Sequence, residues 1–426
     1  MDDMKDSGIP WLGEIPAEWE IEKFKYNLKR SSDLKNGDVQ VLSLYREFGI
    51  VPKDSRDDNH NVTSEDTSKY RMVRPGDFVV NKMKAWQGSV AVSNYKGIVS
   101  PAYYVFHFYN YHLDKKYFHF LMRSNYKDEF KRLSGGIREG QWDLPAYDLG
   151  NVKIILPPEN EQQQIVTFLD KKCREIDGIV AKIQQEMETL KQYKQSVISE
   201  AVTKGIRPNV PMKDSGVASI GIIPKTWEKY KIKYVTKIIR GGSPRPIEKF
   251  MSDSDKGYNW IKIGDTNKNN RYISHVSSKI IPEGLSKTRL VKAGTLLLTN
   301  SMSFGEPYIL NVEGCIHDGW VAFFDYQNID KIFLYYCLIS SGCRQQFEVI
   351  SDGGVVQNLN IDKIGNTYLA LPNLSEQREI AAYLDQKCAA IDTIISSKEE
   401  QLQTLSSYKK SLIYEYVTGK KRVPTA

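Results

Sequence analysis

No stretch of the chain approaches 18 consecutive apolar residues, so a membrane-spanning helix is not expected. The opening residues Met1-Asp2-Asp3-Met4-Lys5-Asp6 lack a basic-then-apolar leader pattern, and export is not expected either. Cysteine is sparse, with Cys173, Cys315, Cys337, Cys343 and Cys388 scattered and no CxxC pair among them. Neither a disulfide framework nor a cysteine zinc site is indicated, and a reduced, cytoplasmic setting fits best. The six histidines show no HExxH or paired metal spacing. Without a GxxxxGK[ST] loop or a GxGxxG after a strand, ATP hydrolysis and a dinucleotide cofactor are both unexpected. Net charge is small: 59 Lys+Arg against 52 Asp+Glu leave +7, which suits a polyanionic partner without demonstrating one. Core material, by contrast, is ample. Hydrophobic residues make up 41% and charged residues 26%, which argues against wholesale disorder. The length, 426 residues, implies two to four domains.

The chain is written twice. Met4-Lys5-Asp6-Ser7-Gly8 recurs as Met212-Lys213-Asp214-Ser215-Gly216, an offset of 208 (212 − 4) that also carries Ile15-Pro16 to Ile223-Pro224 and Trp19-Glu20 to Trp227-Glu228. A second block repeats at an offset of 215 (371 − 156). There Leu156-Pro157 returns as Leu371-Pro372, Glu161-Gln162 as Glu376-Gln377, Leu169-Asp170 as Leu384-Asp385, and Ile176-Asp177 as Ile391-Asp392. Between these blocks, residues 20–150 and 228–365 agree only at scattered points. Arg74-Pro75-Gly76-Asp77 before Phe78-Val79-Val80 answers Lys292-Ala293-Gly294-Thr295 before Leu296-Leu297-Leu298, each reading as a turn and then a strand. Ser134-Gly135-Gly136 answers Asp352-Gly353-Gly354. The pattern implies a shared scaffold with divergent surface loops.

The second block reads as a long helix in each copy. Leu169, Cys173, Ile176, Val180, Ile183, Met187, Leu190, Val197 and Ala201 alternate steps of three and four, the seam of a coiled coil. Leu384, Cys388, Ile391, Ile395, Leu402, Leu405, Leu412 and Tyr416 form its twin, and Lys194, Lys398 and Lys409 interrupt the seams. Asn160 and Ser375 are the expected N-caps, Glu161 and Glu376 supply first-turn negative charge, and Gly205 and Gly419 stop the helices. Some 43 residues at 1.5 Å each give a rod of roughly 65 Å. Two equal helices in a duplicated chain are most simply paired with each other, antiparallel about a pseudo-two-fold axis.

Motifs with chemistry of their own are faint. Ser100-Pro101-Ala102-Tyr103 is weakly similar to the [DNS]PP[YF] loop of amino-methyltransferases, but one proline is missing and no cofactor loop accompanies it. Pro246-Ile247-Glu248-Lys249 holds a nuclease-like ExK triplet of a kind that is common by chance. His112 and His119, seven apart among aromatics, suit packing or surface roles.

Taken together, Lys-Asp-Ser-Gly followed by Ile-Pro-x-x-Trp, then Leu-Pro-x-x-x-Glu-Gln opening a long helix, appear in both halves. This arrangement resembles the specificity (S) subunit of type I restriction–modification systems over essentially the whole chain. The fold implied is α+β: two mixed α/β target-recognition domains joined by a long antiparallel two-helix coiled coil in a pseudo-two-fold duplication. The expected boundaries are 1–157 and 208–372 for the recognition domains and 158–207 and 373–426 for the helices. The function implied is non-catalytic recognition of double-stranded DNA through a bipartite, asymmetric target, with the helices setting a fixed gap. The resemblance further implies two methyltransferase (M) subunits and two restriction (R) subunits as partners, with S-adenosylmethionine, ATP and Mg expected on those partners and no cofactor in this chain. Two other readings stay open: a DNA methyltransferase or nuclease with a disguised active site, and a protein-only coiled-coil scaffold.

Base reading calls for Arg, Lys, Asn, Gln or Asp on loops able to enter a groove. In the first recognition domain the candidates are Lys82, Lys84, Trp86 and Gln87 after the strand at 78–80, then Tyr45 and Arg46, and Arg138 and Gln141. In the second they are Arg240, Ser243 and Arg245 around a Gly-Gly turn, Lys262, Asp265 and Asn267, the pair Asn300 and Ser301, and Gln357 with Asn358. Trp19 and Trp227, being inside the repeat, are expected to be structural.

Overall fold

The computed structural model describes residues 3–424 apart from 36, 57–62, 137–141, 253–255, 269, 301–304 and 352–358. Its helices are α1 (Lys115–Arg123), α2 (Tyr126–Leu133), α3 (Ala146–Asn151), α4 (Glu159–Lys204), α5 (Lys331–Ile339), α6 (Ser341–Ser351), α7 (Ile361–Gly365) and α8 (Leu374–Val417). The chain divides into two compact units: residues 1–183 with 400–426, and residues 184–399. It passes from one unit to the other only within α4 and within α8.

The first unit is built on a four-stranded antiparallel sheet, in the order Leu28–Arg30, Tyr103–Phe108, Phe78–Asn81, Val90–Val92. Alternation along these strands sorts their side chains to two faces. Phe78, Val80, Val90 and Phe106 pack against Phe118, Leu121 and Phe130 of α1 and α2. Val79, Ala91 and Val105 face the other way, onto Leu42, Leu44, Ile50 and Val73.

In the second unit the corresponding strands keep that order, as Lys237–Arg240, Trp320–Phe324, Leu296–Thr299 and Pro307–Leu310, and Tyr272–Ile273 is added in parallel at the edge. Leu296, Leu298, Ile309 and Phe323 pack on Phe333 and Leu334 of α5. Leu297, Tyr308 and Leu310 pack on Ile261, Ile273 and Ile316. The turn-then-strand reading of 74–80 and 292–298 holds, with Gly76 and Gly294 both at positive φ.

In each unit one end of α4 meets the opposite end of α8. In the first, Ile165, Leu169 and Ile176 share a core with Leu412, Tyr416 and Val417, and Phe168 lies 4.5 Å from Tyr416 between ring centroids. In the second, Ile198, Ala201 and Val202 meet Ile380, Ala381, Leu384 and Cys388. The lysines that break the seams find carboxylates across it. Lys409 Nζ donates to both oxygens of Asp177 at 2.6 and 2.8 Å, Lys194 donates to both oxygens of Asp392 at 2.7 Å, and Lys398 pairs with Glu186. The first two pairs exchange under the repeat offset, since 392 − 177 and 409 − 194 are both 215. Exposed ion pairs contribute about 0–1 kcal/mol each, whereas each large apolar side chain buried contributes about 1.5–3 kcal/mol. Apolar contact therefore holds the helices together, and the ion pairs select their register.

The helix starts correct one expectation. Asn160 and Ser375 are not N-caps: α4 begins at Glu159 and α8 at Leu374, so both residues lie in the first turn. The cap falls further upstream. Asn373 Oδ1 accepts the Glu376 N–H at 3.0 Å, and the Pro158 carbonyl accepts the N–H groups of Glu161 and Gln162. The helix stops are as expected, with Gly205 at φ 78° and Gly419 at φ 70°.

The repeated motifs fasten the rest of each unit to its long helix. Trp19 and Trp227 are fully buried, and their indole N–H groups donate to Glu161 (2.9 Å) and Glu376 (3.3 Å). Gln162, also buried, donates to the Pro157 and His112 carbonyls (2.9 and 3.0 Å) and accepts the Asp114 N–H at 2.7 Å. Gln377 repeats the pattern with Pro372, Asn328 and Asp330. Asp114 and Asp330 are the N-caps of α1 and α5, so one glutamine ties a helix entrance to a helix cap in both units.

Candidate nucleic-acid interface

In each sheet one group of polar residues gathers where an inner strand ends. In the first unit that strand ends at Asn81, and the Lys82 N–H donates to the Ala102 carbonyl at 3.1 Å while its own carbonyl accepts the Leu144 N–H at 3.0 Å. In the second unit the strand ends at Thr299. The Asn300 N–H then donates to the Gly319 carbonyl at 3.0 Å, and its carbonyl accepts the Leu359 N–H at 3.0 Å. Lys82 and Asn300 thus occupy equivalent backbone positions, fixed by the same two hydrogen bonds, and carry different side chains.

Around Lys82 the first unit assembles a compact group. Lys82 Nζ donates to Asp143 Oδ2 at 3.2 Å, while Asp143 Oδ1 is buried and has no partner among the described residues. Trp86 donates its indole N–H to the Met83 carbonyl (3.2 Å) and meets Trp142 edge-on at 5.4 Å between ring centroids. Gly88 closes the short turn at φ 86°, a conformation glycine adopts without steric penalty. Gln87 is half-buried there and Lys84 is exposed.

Tyr45 and Arg46 stand on a separate hairpin, Leu42–Tyr45 with Gly49–Pro52. The Arg123 guanidinium anchors its turn, bonding the Arg46 and Glu47 carbonyls on one side and Val90 on the other. Burial pulls the Arg123 pKa below its ordinary value. Next to it, His119 Nδ1 accepts the Val92 N–H at 3.1 Å, and burial, reinforced by Arg123, pulls that imidazole down to about 4.

In the second unit Arg240, Ser243, Arg245 and Asn300 converge on one residue, Asp318. Arg240 Nε and Asn300 Nδ2 donate to its carbonyl at 2.9 and 3.0 Å. Ser243 Oγ donates to Oδ1 at 2.6 Å and Arg245 Nη2 to Oδ2 at 3.3 Å. The Ser243 hydrogen bond is the largest of the effects that hold the Asp318 carboxyl below the usual carboxylate range, and burial opposes it. The approach is close. A Cβ on Gly241 would lie 2.1 Å from the His317 carbonyl oxygen, so only glycine fits.

Lys262 and Asp265 form a different feature. Asp265 accepts the Lys262 N–H (2.8 Å) through Oδ2 and both the N–H and hydroxyl of Ser277 through Oδ1, closing a turn whose far end presents an exposed Asn267. Arg138, Gln141, Ser301, Gln357 and Asn358 lie outside the described residues. Sequence reasoning missed Asp318, Trp142, Asp143 and Arg123. A turn signal, Asp318-Gly319 before an aromatic strand, is the only local pointer to the first of these.

Two copies of one scaffold, each presenting a different polar group on the same strand exit, define a protein of paired recognition modules. The chain belongs to the type I restriction modification DNA specificity domain family, which matches residues 21–189 and 224–404. Among curated proteins it is similar to the type I restriction enzyme MjaVIII specificity subunit of Methanocaldococcus jannaschii, 26% identical over 374 residues covering 84% of this chain and 83% of that one. It is also similar to the type I restriction enzyme EcoBI specificity subunit of Escherichia coli, 24% identical over 291 residues covering 65% and 60%. Of solved structures, a chain from work on complex assembly and conformational transition of the type I R-M system aligns with a TM-score of 0.72 at 15% identity, over 96% of this chain and 99% of that one. The HsdS subunit from Thermoanaerobacter tengcongensis aligns with a TM-score of 0.51 at 17% identity, over 96% and 98%. At such identities the likeness speaks for the fold. Among the described residues no helix is long and apolar enough to cross a membrane.

Proposed function

We propose that this chain is the non-catalytic DNA-recognition subunit of a type I restriction–modification complex and reads a bipartite, asymmetric target with one half-site per recognition domain. The domains are residues 1–157 and 208–372, and the helices 158–207 and 373–426 serve as spacer and as scaffold for two methyltransferase and two restriction subunits. S-adenosylmethionine, ATP and Mg belong to those partners.

One observation carries the reading. Lys82 and Asn300 are pinned by identical backbone hydrogen bonds, yet the first is surrounded by Asp143, Trp86 and Trp142 and the second by Asp318 and its two arginines. A common support with unlike polar heads is what two different half-sites demand, because a single lysine flanked by indoles and a carboxylate-held pair of guanidinium groups offer different patterns of donors and acceptors to the base edges. The exposed Lys84, Arg46 and Arg245 add phosphate contacts that fix position without reading sequence.

Modified-base sequencing of DNA from cells with and without the gene tests this. The expected result is loss of one split, non-palindromic adenine-methylation motif. Exchanging residues 20–150 for those of a relative should change one half of the motif and leave the other; a change in both halves refutes one-domain-one-half-site recognition. Affinity of the assembled complex for DNA should also fall steeply as salt is raised.

A further inference from the structure

Asp318, which no sequence motif singles out, holds the second unit's polar group together. Its backbone N–H faces Ser243 Oγ at 3.4 Å, its carbonyl takes Arg240 and Asn300, and its two carboxylate oxygens take Ser243 and Arg245. Asn300 is nearly inaccessible, at 1% exposure, so its amide serves Asp318 before any ligand. Arg245 is different: its side chain is 82% exposed, against 38% for Asp318. A guanidinium that exposed has much rotamer freedom to lose on binding. A fixed carboxylate beside it narrows where the fork points and competes with any phosphate for it.

We propose that Asp318 is the specificity-determining positioning residue of the second recognition domain, aiming Arg245 and Arg240 at base edges and restraining both from indiscriminate phosphate contact. This rests on the two-half-site reading above. The ligand feature it selects is a pair of acceptors on one base edge, the pattern that a bidentate guanidinium matches.

The experiment is Asp318→Asn in the complete methyltransferase complex, read by modified-base sequencing. Asparagine keeps the backbone carbonyl that binds Arg240 and Asn300 and an acceptor for Ser243, and it removes the charge facing Arg245. We expect methylation at single-mismatch sites to rise at least about fivefold. The relaxation should be confined to one position in the half-site that changes when residues 228–365 are exchanged, and the other half should stay intact. DNA binding should also become tighter at low salt, with a steeper salt dependence. A purely structural role moves neither readout; it lowers methylation at every site while the motif and the salt slope stay the same, and that result overturns the inference. Should Asp318→Asn not accumulate, Ser243→Ala removes one tie to the carboxylate, leaves both guanidinium groups in place and carries the same test on the motif. An unchanged motif in that variant, beside a split wild-type motif, defeats the assignment of Asp318 alone. A continuous or palindromic wild-type motif defeats the two-half-site reading beneath it.

Discussion

Gln162 offers the sharpest test of how a recognition domain is fastened to its helix. The side chain is 2% exposed and makes three hydrogen bonds, all to backbone groups: two carbonyls take its amide hydrogens and one N–H meets its oxygen. Gln162→Ala strips partners from all three. An orphaned buried polar group costs about 1–3 kcal/mol, and water can reach the His112 side of the site, so the expected total is about 3 kcal/mol. For a unit of this size that lowers the unfolding midpoint by roughly 6–12 °C in calorimetry.

Gln162→Glu adds a signed pH dependence. Its carboxylate would face the Pro157 and His112 carbonyls, so the fold favours the protonated acid and raises its pKa above the unfolded value of about 4.3. Stability is then fully retained below that value and lost as pH rises through the folded pKa, the reverse of an ordinary salt-bridged glutamate. Gln377→Ala should act equally, through Pro372, Asn328 and Asp330. A loss under about 1 kcal/mol for either alanine variant, or a flat pH profile for Gln162→Glu, would refute the fastening role.

Further outcomes are expected elsewhere. Gly178 sits inside α4 with open space where a side-chain methyl group would project, so Gly178→Ala should stabilise by about 0.5–1 kcal/mol in denaturant titration; destabilisation would show that the position is covered. His119, pulled down to about 4, is neutral in the fold while the unfolded chain binds a proton below about 6.5. Unfolding free energy should therefore drop by roughly 1–3 kcal/mol as pH falls from 6.5 to 4, and His119→Phe should flatten that slope. Gly241→Ala forces a methyl group against the His317 carbonyl, so it should abolish recognition of one half-site and leave the protein assembled with its partners, as gel filtration would show.

The duplication makes much of this architecture legible. Helix seams, their glycine stops, the buried tryptophans and the turn-strand elements at 74–80 and 292–298 all follow from local pattern, because periodicity and turn chemistry act over a few residues. What escapes is non-local. Asp318 lies 75 residues from Ser243, and only the pairing of Lys237–Arg240 with Trp320–Phe324 brings them together. Trp142 and Asp143 reach Lys82 in the same way, through the Leu144 hydrogen bond to its carbonyl. The N-caps differ for another reason. Asn160 and Ser375 have good capping side chains, but the backbone carbonyls of Pro158 and Asn373 open the helices earlier.

The first unit is not continuous in the chain, and that has a consequence during synthesis. Ile165, Leu169 and Ile176 complete their core with Leu412, Tyr416 and Val417, so residues 1–183 must wait for 400–426 to leave the ribosome. At about 5–20 residues per second the delay is roughly 10–50 s, during which the uninterrupted unit 184–399 can fold first. The half translated first is therefore the half finished last, and its apolar helix face is the surface a chaperone would meet.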